Sequence, residues 1–335
     1  MKKAVLIASL ACACSSAAMA GPVVLAYYSG YSNNYNSLVK YAANYNAVAI
    51  DFYNITSSGA VTGNGDPAPS NAISFLHGKG VPIYGCVSNV DSDWSPSIAH
   101  AVMTTNMSKS VSNLVAFAQS NKFAGINIDF EAVAQGDRNN FSTFAKALAS
   151  ALHAKGLKLI ISVPAFSSAD NTDPYNYAYD YHALGASADY LQLMTYDEDI
   201  PGWAPGPVAG SDWMENDLDY ATSLVPPAKL LSGIPSYGYD WQSNNDGSQL
   251  YWVNTPALIS KYKIKPGYDK NSNSETLHYT AGDGSGAHTV WTENTQSVTL
   301  KAGLVGAYGL GGTSMYALGM EDATFWSALK AGLAQ

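Results

Sequence analysis

The sequence predicts an α/β protein built as a (β/α)8 TIM barrel, and three observations support that fold. Eight short apolar segments alternate with eight segments of helical periodicity along one chain. Most of the apolar segments are rich in β-branched and aromatic residues and are bounded by Gly, Pro, Asn or Ser. The 335 residues contain no internal repeat and no linker rich in Pro or Ser, so one large barrel accounts for the chain.

The predicted strands and helices follow one another in strict alternation. The strands are 23–28, 47–55, 81–88, 125–131, 158–166, 190–197, 230–241 and 312–319. The helices are 37–46, 70–80, 108–121, 138–156, 175–187, 212–225, 295–308 and 322–333. The clearest helix is the fourth, in which Phe141, Phe144 and Leu148 lie on one face and Gly156 follows as a stop signal.

A long interval before the last barrel unit predicts an insertion. Residues 242–294 separate strand 7 from the helix that precedes strand 8, and they contain short apolar stretches and a polar turn. We expect a small α+β insertion on the top of the barrel and no separate domain. The predicted organisation is therefore a leader over 1–20 and a barrel over 21–335 that carries this insertion.

The first 20 residues have the composition of a secretory signal peptide. Two lysines precede an apolar run over 4–13, and the stretch AMA forms a small-x-small cleavage site before Gly21. The apolar run is too short to span a membrane, so we expect a secreted or periplasmic protein without a membrane partner. Only Cys86 would remain after cleavage, so no intramolecular disulfide is expected.

Charge and motifs argue against several classes of function. The formal net charge is −9 and no basic run follows residue 3, so nucleic acid is not an expected partner. The six histidines are scattered without HExxH or HxH spacing, so no metal site is expected. No GxSxG, GxGxxG or phosphate-binding loop follows a predicted strand, so no serine-hydrolase site and no cofactor are expected. The abundant aromatic residues suit carbohydrate stacking as well as ordinary packing.

The segment GINIDFE at 125–131 separates apolar from polar side chains, because alternate residues of a strand lie on opposite faces. Its polar members are Asn127, Asp129 and Glu131. A surface strand of an antiparallel sheet would turn this polar face to water. In a barrel, helices cover the apolar face and the polar face turns inward, towards the carboxyl-end mouth where active sites lie. Glu131, the last residue of the predicted strand, should then lie nearest the substrate.

Asp129 and Glu131 form a candidate acid pair. Their Cα atoms should be about 6.6 Å apart, since each strand residue adds about 3.3 Å. Two carboxyl groups this close tend to share a proton, which raises the pKa of one of them. A carboxylic acid that stays protonated near neutral pH can serve as a general acid. A buried polar network that only stabilises the barrel is the alternative, and the position at the catalytic end favours catalysis.

These residues carry a resemblance to glycoside hydrolase family 18, whose fourth strand ends in a DGxDxDxE pattern. The match runs through Gly125, Asp129 and Glu131, whereas Ala124 and Asn127 stand where the pattern has Asp. The segments LQLMTYD and GTSMYALG resemble the sixth and eighth strands of the family. With MTYDEDIPGWAPGPVAG, GIPSYGYDW and HTVWTENTQSV, they are similar to the branch that includes spore-cortex and other peptidoglycan-lytic N-acetylglucosaminidases.

The resemblance implies a substrate-assisted mechanism, in which the acetamido oxygen of the sugar attacks the anomeric carbon and no protein nucleophile is used. Glu131 would protonate the leaving oxygen and then activate water. Asp129 would orient the acetamido group and stabilise the oxazolinium ion, and Tyr196 would hydrogen-bond the same group. Asn127 would support Asp129 from below by a hydrogen bond. The double displacement implies retention of the anomeric configuration.

Further side chains are expected to contact the sugar or the network around the acid pair. The predicted substrate-binding residues are Asn127, Gln192, Met194, Asp197, Trp241 and Tyr316. Tyr316 stands where the family usually has an active-site Trp. Stacking on sugars is favoured for Trp241 and Tyr316, and Trp203 could stack or pack.

The predicted function is hydrolysis of β-1,4-linked N-acetylglucosamine (GlcNAc) polymers, with peptidoglycan ahead of chitin. A chitinase is the alternative within the same class of enzyme. A catalytically inactive barrel that binds glycans is an alternative of another class, because family 18 contains such proteins and they commonly lack the acid. The presence of Glu131, Asp129 and Tyr196 favours activity.

Overall fold

The computed structural model describes residues 21–31, 33–64, 69–282 and 284–335. The predicted signal peptide over 1–20 lies outside these described residues. The strands are β1 Val23–Tyr28, β2 Ala47–Ile55, β3 Val61–Gly63, β4 Ile83–Ser88, β5 Gly125–Asp129, β6 Lys158–Pro164, β7 Tyr190–Met194, β8 Leu230–Pro235, β9 Tyr237–Gln242, β10 Gly247–Tyr251, β11 Gly267–Asp269, β12 Ser274–Ala281, β13 Gly286–Thr292 and β14 Gly312–Tyr316.

The α-helices lie between these strands and cover the barrel. They are α1 Asn34–Lys40, α2 Ser70–Lys79, α3 Pro96–Met103, α4 Met107–Ser120, α5 Arg138–His153, α6 Tyr181–Ser187, α7 Ser211–Leu224, α8 Thr255–Tyr262, α9 Thr295–Tyr308 and α10 Ala323–Leu333. Over the ranges that the structure describes, none of these helices has the length and apolar character needed to cross a membrane.

Eight parallel strands close into a barrel. They follow the order β1-β14-β8-β7-β6-β5-β4-β2, and β2 pairs back with β1 to complete the ring. The short strand β3 adds to β2 in antiparallel orientation outside this ring. The predicted (β/α)8 barrel is therefore confirmed, and every barrel strand overlaps one of the predicted strands.

A second sheet lies between the seventh and eighth barrel strands. It has five antiparallel strands in the order β10-β9-β13-β12-β11, and helix α8 lies between β10 and β11 in the chain. The sheet begins at Tyr237, inside the stretch 230–241 that the sequence predicts as one strand. The division falls at Ser236, whose backbone N–H and side-chain hydroxyl both donate to the carbonyl of Tyr316 on β14. The barrel strand ends there and β9 leaves to pair with β10 and β13.

The direction of the segment GINIDFE is as the barrel requires. Ile126, Ile128 and Phe130 are buried in the core layer between the strands and the helices. The ring of Phe130 stacks on Phe141 and Phe144 of α5, with centroids 6.1 and 5.9 Å apart. The polar members of the segment face the interior of the barrel, where their cost of burial has to be met by polar partners.

The lower part of the barrel interior is a separate apolar core. Its buried side chains include Leu25, Ala49, Tyr84, Ile160 and Leu231, which come from strands around the whole ring. In the described part of the chain, this packed floor fills the lower barrel and leaves room for a site at the carboxyl ends of the strands.

Strand β5 is shorter than predicted, because it ends at Asp129 and not at Glu131. The backbone N–H of Glu131 donates to Asn89 Oδ1 at 2.9 Å, and its carbonyl accepts from Asn89 Nδ2 at 2.8 Å. A side chain from the loop after β4 therefore replaces the ladder partner. Glu131 follows the strand as the first residue of the loop region, still at the catalytic end.

Candidate active site

A cleft of about 1020 Å³ lies at the carboxyl ends of the barrel strands. Its floor and walls include Asp129 at the end of β5 and Glu131 just after it, Tyr196 and Asp197 after β7, and Tyr316 at the end of β14. Three separate βα units therefore bring the predicted catalytic residues and several predicted binding residues into one depression. Gln192 and Met194 of β7 also line it.

The predicted acid pair is present and is desolvated. Burial is the main cause that raises the pKa of Glu131 to about 7, and the neighbouring carboxylates of Asp197 and Asp51 add to it. Burial also raises the pKa of Asp129 well above its ordinary value, and Glu131 and Asp51 raise it further. Ser88 Oγ donates a hydrogen bond to Asp129 Oδ2 at 3.4 Å, which opposes these effects. The site therefore keeps a proton on its carboxyl groups near neutral pH, as a general acid requires.

The pKa of Glu131 sets an expected pH dependence. Protonated Glu131 is the acid, so kcat/KM should fall as the pH rises through about 7. Replacing Asp197 with Asn removes a negative neighbour that raises this pKa, so the alkaline limb should move to lower pH. Initial rates on a soluble chitin oligomer between pH 4 and 9 measure the alkaline limb of wild type and of Asp197→Asn. An alkaline limb at the same pH in Asp197→Asn and wild type would contradict this assignment.

Asn127 lies beneath the cleft and not in its wall. Its Oδ1 accepts from the hydroxyl of Tyr27 at 2.8 Å, and its Nδ2 donates to Ser162 Oγ at 3.0 Å. Within the described residues, the Asn127 side chain makes no hydrogen bond to Asp129, so the predicted bond between them is wrong. Asn127 is fully buried, so a direct contact with substrate is not possible in this conformation. Its role is to link β5 by hydrogen bonds to β1 and β6 below the acid pair.

Gln192 extends the same buried network towards Tyr196. Its Nε2 donates to Ser314 Oγ at 3.0 Å and to the hydroxyl of Tyr196 at 3.5 Å. This contact holds the hydroxyl of Tyr196 near Asp129. Burial is the main cause that raises the pKa of Tyr196, and the charge of Asp129 is the next. The phenol stays protonated and can donate a hydrogen bond to a substrate oxygen.

Asp197 and Tyr316 also line the cleft beside the acid pair. Asp197 Oδ1 accepts from the hydroxyls of Tyr237 and Tyr239 at 2.7 and 2.8 Å, so its carboxylate is fixed in one place. The ring of Tyr316 lies 5.9 Å from that of Tyr196, at an interplanar angle of 30°. Both predicted residues are therefore brought to the site.

Trp241 is a predicted sugar platform that the structure does not bring to the site. Its side chain is fully buried, and its ring packs edge-on against Tyr239 with centroids 5.6 Å apart. Trp241 lies on the same face of β9 as Tyr237 and Tyr239, but only those two tyrosines line the cleft, and Trp241 is covered further along the strand. A ring with no exposed face cannot stack on a sugar, so the prediction for Trp241 is wrong in this conformation.

Several cleft residues were not selected from the sequence. The aromatic ones are Tyr27, Tyr31, Trp94, Tyr175, Trp213, Tyr237 and Tyr239, and the acidic ones are Asp51, Asp91 and Glu198. Tyr175 is 75% exposed and Trp203 is 60% exposed, and both rings line the cleft. A charged residue within the apolar strand AVAIDFYNI was a visible signal for Asp51, whereas Tyr31, Trp94 and Tyr175 lie in loops that have no periodicity.

One group of side chains in the described part of the chain has the geometry of a metal site. Oxygen atoms of Asp51 and Asp129 and the sulfur of Cys86 lie within 4.8 Å of one another. Burial raises the pKa of both carboxyl groups in this cluster, and the charge of Asp51 raises the pKa of Asp129 further. A set of two acids and one protonated, buried thiol suits hydrogen bonding within the cluster, since a thiol must lose its proton to bind a metal.

A family model described as "Glycosyl hydrolases family 18" matches residues 23–321. The chain belongs to glycosyl hydrolase family 18. This family 18 chain is thus a glycosidase, and the family resemblance predicted from GINIDFE, LQLMTYD and GTSMYALG is confirmed.

Three relatives place the family 18 chain more closely. A crystal structure of a chitinase from Chromobacterium violaceum ATCC 12472 is 66% identical, has a TM-score of 0.92, and covers 94% of this chain and 100% of that chain. The uncharacterized glycosylase YvbX of Bacillus subtilis is 35% identical over 94% of this chain and 92% of its own length. The cortical fragment-lytic enzyme of Bacillus cereus is 28% identical over 75% of this chain and 60% of its own length. The family 18 chain is therefore chitinase-like and related to cortex-lytic enzymes.

Proposed function

We propose that this chain is a secreted, retaining glycosidase that hydrolyses β-1,4-linked GlcNAc polymers by substrate-assisted catalysis. The observation that carries the proposal is the desolvated pair Asp129 and Glu131, with the pKa of Glu131 raised to about 7, in a cleft that Tyr196 also lines. Such a pair supplies a general acid and a second carboxyl group without requiring a protein nucleophile.

The proposed reaction begins when protonated Glu131 donates its proton to the glycosidic oxygen. The acetamido oxygen of the same sugar attacks the anomeric carbon, so the leaving sugar departs and a cyclic oxazolinium ion forms. Asp129 opposes the positive charge of this ion, and the Tyr196 hydroxyl hydrogen-bonds the acetamido group. Glu131, now ionised, removes a proton from water, which attacks the anomeric carbon and restores the acetamido group. Two inversions give overall retention.

The charge of the cleft favours chitin over peptidoglycan as the substrate, which reverses the order expected from the sequence. The described lining contains six carboxyl groups and no Lys, Arg or His. Peptidoglycan carries lactyl and peptide carboxylates on alternate sugars, and these would be repelled by an uncompensated acidic cleft. Chitin is neutral. The 66% identity to a protein described as a chitinase points the same way.

Peptidoglycan remains the second candidate substrate because of one observation. Similarity to the cortical fragment-lytic enzyme of Bacillus cereus extends over 75% of this chain. That similarity is what keeps this candidate open.

The test compares hydrolysis of chitin oligomers and of purified peptidoglycan by wild type and by Glu131→Gln, with products identified by mass spectrometry. We expect wild type to release GlcNAc oligomers from chitin at a higher rate than it releases wall fragments with GlcNAc at the reducing end. Loss of both activities in Glu131→Gln would tie them to the site. Faster release of wall fragments would move the assignment to peptidoglycan, and sugar binding without any cleavage would leave a glycan-binding barrel.

The two exposed rings in the cleft should matter for long chains. Tyr175 and Trp203 are among the most exposed large apolar side chains of the described residues, and a sugar stacked on each would recover about 1 kcal/mol. We expect Tyr175→Ala and Trp203→Ala each to lower the rate on polymeric chitin by about fivefold, with kcat/KM on a chitin dimer or trimer changed less than about twofold. Tyr35→Ala is a matched control, because Tyr35 is also exposed and lies outside the cleft. Equal losses on polymer and short oligomer would argue against a platform role.

Export is part of the proposal and rests on the composition of residues 1–20 alone. A lysine pair, an apolar run and the stretch AMA are the signals that a signal peptidase reads. Amino-terminal sequencing of the protein from the culture medium or the periplasm should begin at Gly21. A cytoplasmic protein that still begins at Met1 would contradict export.

A further inference from the structure

Asp51 is an acidic residue of the cleft to which neither the sequence nor the family resemblance gave a role. It lies on β2, next to a bulge at which Asp51 pairs with Cys86 and Tyr53 pairs with Val87. The residue between them, Phe52, has no partner in this ladder. Bulges occur beside active sites because they change the direction of a side chain, and here Asp51 points into the cleft.

The carboxyl group of Asp51 is held in place on two sides. Its Oδ2 accepts a hydrogen bond from Ser29 Oγ at 3.0 Å and one from the hydroxyl of Tyr316 at 3.4 Å. The Cys86 thiol forms a third hydrogen bond with this carboxyl. Ser29 and Tyr316 belong to the ends of the first and last barrel strands, so the position of Asp51 is set by the framework of the barrel.

Asp51 lies next to Asp129, the residue that faces the oxazolinium ion in the proposed reaction. Their carboxyl oxygens and the sulfur of Cys86 are all within 4.8 Å of one another. Cys86 is fully buried and pairs with Asp51 on one side and with Asn127 of β5 on the other. Its thiol therefore occupies the space between the strands that carry the two carboxyl groups.

Among the described residues that line the cleft, no Lys, Arg or His balances the charge of these acids. The charge of Asp51 raises the pKa values of five neighbouring groups, which are Tyr31, Cys86, Asp129, Glu131 and Tyr316. Burial raises the pKa of Asp51 itself, and its hydrogen bonds with Ser29, Tyr316 and Cys86 oppose that effect. The phenols and the buried thiol remain neutral here. Repulsion among the carboxylates of Asp51, Asp129 and Glu131 is therefore reduced only when one or more of them stays protonated.

We propose that Asp51 is a positioning residue for the glycosidase reaction, sharing a single proton with Asp129 and keeping that proton while Asp129 faces the substrate as an anion. No proton enters or leaves this pair: when Asp129 becomes the anion, the proton rests on Asp51. The Cys86 thiol hydrogen-bonds the Asp51 carboxyl and lies within 4.8 Å of Asp129, so it fills the space beside the two groups. The catalytic role of Asp51 rests on the proposed function. The sharing of the proton between Asp51 and Asp129 does not.

The sharing can be measured without activity. Infrared difference spectra at pH 6 would count protonated carboxyl groups in wild type, Asp51→Asn, Asp129→Asn and the double variant. We expect each single variant to lose one protonated carboxyl and the double variant to lose no second one. Loss in only one of the two single variants, or a second loss in the double variant, would overturn the proposal.

The catalytic consequence is tested by the pH dependence of kcat/KM. In Asp51→Asn the amide stands in for the protonated carboxyl, so kcat at the optimum should fall less than about tenfold. The alkaline limb should stay within about 0.2 unit of the wild-type pH, because the pair carries one negative charge near Glu131 in both proteins. An Asp51 that is an independent anion would, on removal, move this limb to lower pH, so a moved alkaline limb overturns the proposal. In Asp51→Ala no neutral donor remains beside Asp129, so its carboxylate is harder to form and the acid limb should move to higher pH. A residue with only a structural role would lower kcat without moving the acid limb.

Two further proteins keep this test decisive. Asp217→Asn is a matched control, because Asp217 is a buried carboxyl outside the cleft whose pKa burial raises to about 7. Its pH profile should match that of wild type. If Asp51→Asn does not fold, Asp51→Ser tests the same loss of a titratable group. If wild type cleaves no glycan, the proposed function fails while the infrared result still decides the proton sharing.

Discussion

Replacing Glu131 with Gln should lower kcat on chitin oligomers by roughly 100- to 10,000-fold, because a positioned general acid contributes that much. The amide has nearly the same size and cannot give a proton to the leaving oxygen. The backbone N–H and carbonyl of residue 131 still hydrogen-bond Asn89, so the fold and sugar binding should be retained. Initial rates, calorimetric binding of a chitin oligomer and thermal unfolding measure the three properties.

A second glutamate makes a sharp control for this prediction. Glu198 also lines the cleft, and burial also raises its pKa to about 7. Its Oε2, however, accepts from the backbone N–H of Gly210 at 2.6 Å, so it serves the loop that leads into α7. We expect Glu198→Gln to lower kcat less than about tenfold. A larger loss of kcat in Glu198→Gln than in Glu131→Gln would show that our account assigns the general acid to the wrong residue.

Replacing Asp129 with Asn should lower kcat by roughly 100- to 1,000-fold, with a small change in KM. The asparagine keeps the shape of the side chain but removes the anion that opposes the positive oxazolinium ion. A preorganised group aimed at developing charge is typically worth this factor, and its effect appears in the transition state more than in substrate binding. Steady-state kinetics on a chitin oligomer separate the two parameters.

The result that would count against this role is a raised KM with an unchanged kcat, because that pattern reports binding energy used equally in ground and transition states. Asp217→Asn is again the matched control, since it makes the same chemical change at a buried carboxyl outside the cleft. Its kcat and KM should equal those of wild type.

The barrel could be predicted because its signal is local. Strands such as β1 and β2 are mostly apolar and are bounded by turn residues, so their ends match the predicted ends. The division of 230–241 could not be predicted, since the run is continuous in composition. It depends on hydrogen bonds from Ser236 to carbonyls of Tyr316 and Ala317, which lie far away in the chain.

The catalytic residues could be predicted because alternation and strand ends carry their position. Asp129 and Tyr196 follow the logic of a barrel, and the structure brings both to the cleft. Trp241 shows the limit of the same reasoning. Whether a tryptophan is a platform or a core side chain depends on what covers it, and the partners in β9 and β13 are set only by the tertiary structure.

The measurement that tests the central claim most directly is the anomeric configuration of the first product. Proton NMR during the first minutes of hydrolysis of a chitin oligomer distinguishes the β from the α anomer at the new reducing end. Substrate-assisted double displacement at Glu131 and Asp129 predicts the β anomer first, followed by mutarotation, and no cleavage when the reacting sugar lacks its N-acetyl group. Release of the α anomer first, or cleavage of the sugar without the N-acetyl group at a similar rate, would contradict the account.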